Sequence, residues 1–104
     1  MSAEFEVVFA DRAWPEAHLD RLLAATARLP TFTRRVDDEC WLKCPTTASG
    51  WAYDVRVIVQ GPRVVLEISA HPPAIERDLA ALLDWLRSET AVTVVDDDGE
   101  PSRW

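Results

Sequence analysis

Three sets of side chains in this chain have the right chemistry to bind or react: the acids of VVDDDGEPSRW at residues 94–104, the pair Cys40 and Cys44, and the two histidines His18 and His71. A calcium loop needs acids at alternate positions, Gly at position six and Glu at position twelve. Counted from Asp96, position six is Pro101 and the chain stops at position nine; counted back from Gly99, position one is Val94. Calcium is excluded by spacing. Magnesium takes one or two carboxylates and would need only Asp96 and Asp98, but an acidic turn in water is the commoner meaning of such a run.

Cys40 and Cys44 form one pair where a structural zinc site shows two. In extended backbone, four residues at ~3.3 Å each separate the thiols by about 13 Å, too far to share an ion or to form a disulfide. Two reduced cysteines on one strand face are expected. His18 lies on the flank of a helix and His71 in a strand-to-helix turn, neither beside a nucleophile in sequence. The three glycines, Gly50, Gly61 and Gly99, each read as turns, and none belongs to a phosphate-binding loop. No catalytic residue, metal ligand or cofactor site is assigned.

Aromatic and acidic residues remain. Five tryptophans in 104 residues is a high count. Trp41 follows Asp37, Asp38 and Glu39; Trp104 follows Asp96, Asp97, Asp98 and Glu100; Trp85 falls roughly 80° off the apolar stripe of its helix. Tryptophan anchors interfaces because it buries a large area and keeps one polar N–H. Acids beside it steer and select a basic partner. The expected partner-binding set is Asp37, Asp38, Glu39, Trp41, Trp51, Asp96, Asp97, Asp98 and Glu100, with Trp104 more apt to be folded back as a packing residue.

These residues must be held by a domain. At 104 residues with 48% hydrophobic and 28% charged side chains, the chain has the composition of one globular domain, 1–104. A net charge of −7 argues against nucleic acid, whose binding rests on basic patches. No apolar run reaches the roughly 18 to 20 residues of a membrane span, and the first residues have no basic and apolar leader, so a cytoplasmic location is expected.

Residues 4–10 alternate Phe5, Val7 and Phe9 against Glu4 and Glu6, the pattern of a half-buried strand. One helix is expected from a cap at Asp11, with Pro15 in its first turn, to Pro30, burying Leu19, Leu22, Leu23 and Thr26. Residues 33–44 read as extended, with a turn or bulge at the acids. Trp51, Tyr53, Val55, Val57 and Val59 alternate on one strand face; Gly61-Pro62 turns the chain into a partner strand at 63–70. A second helix carries Ile75, Leu79, Leu82, Leu83 and Leu86 on one stripe, and Ala91 to Val95 forms a last strand.

The order β-α-β-β-β-α-β predicts an α+β fold: an antiparallel sheet of about five strands with two helices on one face, ferredoxin-like with an added strand. An acidic α+β domain of about 100 residues ending in DDDGEPSRW resembles the small immunity proteins of bacterial toxin–immunity systems. The resemblance implies a cytoplasmic, non-enzymatic protein that binds and neutralises the catalytic domain of a toxin. A nuclease is the natural target, since its own site is cationic. The competing expectation is a ligand-binding or enzymatic domain with His18, Cys40 and Tyr53 converging on a pocket between sheet and helices. A third is a homo-oligomer pairing through an exposed strand edge. The sequence does not choose an oligomeric state.

Overall fold

A computed structural model describes residues 2–46 and 52–104. The chain runs β1 (Ala3–Phe9), α1 (Trp14–Ala17), α2 (Leu19–Ala27), β2 (Phe32–Val36), β3 (Glu39–Leu42), β4 (Val55–Gln60), β5 (Arg63–Ile68), α3 (Pro73–Glu89) and β6 (Val92–Val95). All six strands join one sheet in the order β2-β3-β4-β5-β1-β6, and every neighbouring pair is antiparallel. The run β6-β1-β5-β4 is the ferredoxin-like order, and the β2–β3 hairpin extends it beyond β4.

The sheet has six strands and not about five because residues 33–44 split at their acids. Val36 pairs with Glu39, which leaves Asp37-Asp38 as a two-residue loop. Asp37 takes φ 54, a left-handed conformation that Asp tolerates better than branched residues do. The second hairpin turns at Gly61-Pro62 between the paired Gln60 and Arg63, with Gly61 at φ 61 as the first loop position demands.

Alternation puts Val7 and Phe9, Val55, Val57 and Val59, Val64, Leu66 and Ile68, Cys40 and Leu42, and Val94 on one side of the sheet, all buried. Leu22 and Leu23 of α2 and the stripe Ile75, Leu79, Leu82, Leu83 and Leu86 of α3 complete the same core. Both helices therefore cover one face. Trp14 and Phe9 stack at 5.7 Å, and Trp85 meets Trp14 edge-on at 6.2 Å, so two of the five tryptophans are spent on packing.

The helical segment expected from Asp11 to Pro30 is two helices. The N-cap of α1 is Ala13 and not Asp11, which holds the turn before the helix, its Oδ1 accepting the Ala13 N–H at 3.1 Å. The break falls at His18, at φ −123 and ψ 27. Its ring stacks on Trp14 at 4.5 Å with Nδ1 3.0 Å from the Trp14 carbonyl oxygen, which also accepts the His18 backbone N–H. Satisfying that carbonyl locally ends α1 at His18, and α2 begins at Leu19. The strand expected from Trp51 to Val59 begins only at Val55. The carbonyl of Asp54 accepts the Ser69 and Ala70 N–H groups while its carboxylate holds the Cys44 N–H at 2.8 Å. That detour puts Tyr53 on the face opposite to Val55, Val57 and Val59, a correction to the uniform alternation.

One buried ionic contact joins the helical layer to the sheet. Asp78, 1% exposed on the inner side of α3, accepts from the Thr31 N–H at 2.9 Å and the Thr31 hydroxyl at 2.6 Å, and its other oxygen from Arg77 at 3.1 Å. Thr31 sits just before β2, so this carboxylate fixes where the added hairpin leaves α2. Asp78→Ala is expected to lower unfolding free energy by about 2–3 kcal/mol, since hydrogen bonds to a buried charge are lost together. Thr31→Val, which keeps the shape, is expected to cost less. Urea denaturation of the two variants measures both.

Candidate functional site

One-sided burial leaves the opposite face of the sheet uncovered. Register places its side chains in cross-strand rows. Arg34, Trp41, Arg56 and Glu67 form one row, and Val36, Glu39, Ile58, Val65, Glu6 and Val95 form the next. A bulge between Phe32 and Arg34 brings Arg34 onto this face opposite Trp41.

Arg56 ties the first row together. Its guanidinium reaches Glu67 at 2.5 Å and Glu39 at 3.2 Å. Glu39 also accepts the Trp41 Nε1–H at 2.7 Å, and Glu67 accepts the Tyr53 hydroxyl at 3.3 Å. The Trp41 and Tyr53 rings lie 5.1 Å apart, tilted by 57°. Arg56 sits 5.1 Å from the centre of the Tyr53 ring, and Arg34 sits 5.3 Å from that of Trp41. Each aromatic ring is thus held by a carboxylate, and each carboxylate by Arg56. The hydrogen bond to Glu67 raises the Arg56 pKa above its ordinary value, outweighing partial burial. Burial raises that of Tyr53, opposed by Arg56 and assisted by the Glu67 charge, so the hydroxyl stays a donor.

The expected acidic residues fall in two places. Asp37 and Asp38 form the β2–β3 turn, Asp38 lying 3.8 Å from Arg35. Asp96, Asp97, Asp98 and Glu100 follow β6 at the other margin. The margins are separated by five strand intervals, about 24 Å at ~4.8 Å each, so the fold does not gather the acids into one cluster. Glu39 and Trp41 are brought together by their hydrogen bond. Trp51 lies outside the described residues.

The last residues are ordered by their own hydrogen bonds. Asp96 Oδ1 accepts the N–H groups of Asp98 and Glu100, and its backbone accepts Gly99. The chain then returns beside β6: Val95 bridges to Pro101, and the Ser102 N–H donates to the Val94 carbonyl. Trp104 packs edge-on against Phe5 and His71, each at 6.3 Å, while Arg87 donates to its backbone carbonyl at 2.8 Å. Ligand oxygens of Asp96, Asp97 and Asp98 fit within 4.8 Å of one another, but the Asx-type turn already accounts for that crowding.

His18, Cys40 and Tyr53 do not converge. Cys40 faces the core, Tyr53 the uncovered side, and the space between sheet and helices is filled by apolar side chains. Cys40 and Cys44 are both buried, and the Cys44 sulfur lies 3.2 Å from the Thr46 hydroxyl. Burial raises the Cys40 pKa, only partly offset by Arg35, so this thiol is a poor nucleophile. Sequence reasoning missed Arg56, Glu67 and Asp78, and assigned Tyr53 to a pocket between sheet and helices instead of to the uncovered face. The alternation of Arg56 against Val55 and Val57 marked an exposed strand position, but its partners come from strands remote in sequence. Among protein-family models, curated proteins and solved structures, none matches this chain. No helix among the described residues is long and apolar enough to cross a membrane.

Cys40 and Tyr53 both hold their protons more tightly folded than unfolded. Their contribution to stability is complete below the ordinary values, 9.0 and 10.0, and is lost as pH rises through the folded values. Stability followed by urea titration is therefore expected to decline from about pH 9 upward. Cys40→Ala should remove the earlier part of that decline, and Tyr53→Phe the part beginning near pH 10.

Proposed function

We propose that this chain is a non-enzymatic binding domain that neutralises a basic toxin domain, as the small acidic immunity proteins it resembles do. The observation that carries this reading is the Trp41–Tyr53 pair, held on an uncovered sheet face by the Glu39–Arg56–Glu67 bridge. Rings fixed before encounter lose little entropy on binding, the property of an interface anchor. Around them the charge is unbalanced. Arg56 is neutralised by two glutamates and Arg63 by Glu6, and Arg34 stands over the Trp41 ring, whereas Asp97, Asp37 and Glu4 have no cation within ion-pair distance among the described residues. With a net charge of −7, this face favours a cationic protein. A nuclease, whose substrate site must be basic, is the target class that charge supports best.

Affinity capture from cells of the source organism, at low and at high salt, tests this reading. The expected outcome is a basic partner whose catalytic activity falls on adding the protein and whose binding weakens with salt. Trp41→Ala is expected to cost about 2 kcal/mol or more of binding, in the hot-spot range. Changing Asp97 and Asp98 to lysine, which keeps the turn held by the Asp96 carboxylate, should slow association while leaving folding nearly intact. If both sets of variants inhibit unchanged, the interface lies elsewhere; if the captured protein has no activity to inhibit, the immunity reading fails.

A further inference from the structure

The second cross-strand row has a shape that the first does not. Val36, Ile58, Val65 and Val95 are short, half-buried side chains at one level of the sheet; Ile58 and Val65 adjoin at its centre, Glu39 stands between Val36 and Ile58, and Glu6 between Val65 and Val95. Taller side chains bound this lane: Trp41, Arg56 and Glu67 on one side, Gln60 and Arg63 on the other. Each end opens into a hollow. One, of about 260 Å³, is lined by Val36, Asp37, Asp38, Glu39, Ile58 and Val59. The other, of about 240 Å³, is lined in part by Glu4, Glu6, Val65, Val95, Asp96 and Asp97. The single cation in the second hollow, Arg63, is already paired with Glu6 at 2.9 Å.

From this geometry we infer that the lane seats one amphipathic helix of a partner protein, with an apolar centre and a cationic side chain entering the acidic hollow at each end. The inference rests on the reading that the partner is a basic protein. The hollows centre near β3 and β1, three strand intervals or about 14 Å apart. On a helix, residues i and i+11 lie about 16 Å apart on one face, with i+4 and i+7 between them on that face. Arginines at the outer positions and leucines at the inner ones match the hollows and the valine–isoleucine floor. A helix fits better than an extended segment because it satisfies its own backbone hydrogen bonds. An extended segment laid on a sheet face leaves them unpaired; such segments bind at sheet edges.

The probe is an alanine-rich peptide, cross-linked into a helix on its outward face, with Arg at i and i+11 and Leu at i+4 and i+7. The control has the same composition with one Arg moved to the opposite face. Titrated into the ¹⁵N-labelled protein, the probe should saturably shift the amides of Val36, Ile58, Val65 and Val95, and the control should not. Asp37→Asn, which keeps the left-handed turn, and Glu4→Gln with Asp97→Asn should each weaken probe binding about two- to fivefold, the range of an exposed ion pair. The combined variant should multiply the two losses, since the hollows are well separated. Equal shifts from probe and control, shifts confined to α1, α2 or α3, or none at millimolar probe overturn the inference. Capture of an inhibited toxin whose binding ignores these variants overturns the lane and leaves the proposed function. Probe binding to the lane without any toxin captured does the reverse.

Discussion

An antiparallel sheet of six short strands has two faces, and this chain has enough apolar side chains to cover one. Every inward position of β3, β4, β5 and β6 is packed against α2 and α3, and the uncovered face is left to deal with water by itself. It does so with polar side chains whose charges are partly cancelled locally and, between them, with branched apolar residues too short to stand proud of them. The Glu39–Arg56–Glu67 bridge and the aromatic pair on this face follow from this division. Ionic side chains could not be held in such a bridge within the core, where desolvation outweighs pairing. The aromatic pair could not be reached if a third layer covered it.

The Glu39–Arg56–Glu67 bridge is worth little as a stabilising device, because half-exposed ion pairs contribute about 1 kcal/mol or less. Its consequence is positional. One guanidinium crosses between strands β3, β4 and β5 and fixes two carboxylates, each of which fixes the polar end of an aromatic ring. Asp78 performs the corresponding task on the buried side, where a charge without partners would be costly and three donors remove that cost. The two ionic centres together hold the added β2–β3 hairpin from both faces.

The sheet also has two edges, and they are protected differently. The return of residues 101–102 alongside β6 uses the turn built on Asp96, so the acidic run is the means by which the chain covers its own last strand. At the far edge, β2 is bulged and carries exposed Arg34 and Arg35, which discourage pairing with another strand. Acids stand at both margins, and only the β2 margin adds arginines beside a tryptophan.

Strand alternation, the apolar stripe of α3 and the Gly61-Pro62 turn were legible in the sequence because each depends on neighbours within a few residues. They determined the fold class and the buried faces of β1 and β5, and the turn at DGEP predicted that Trp104 packs back on the body. The division at His18 was not legible, since it follows from stacking on Trp14 against Phe9 and Trp85, nor was the displacement of Tyr53, which follows from backbone bonds between Asp54 and residues after β5. The acids were visible as acids, and Trp41 as an aromatic beside them. Only the tertiary structure decided that the two acidic runs lie at opposite margins, and that Arg56 joins Trp41 to Tyr53 across three strands. Register between strands far apart in sequence sets those distances, and no local pattern of residues encodes it.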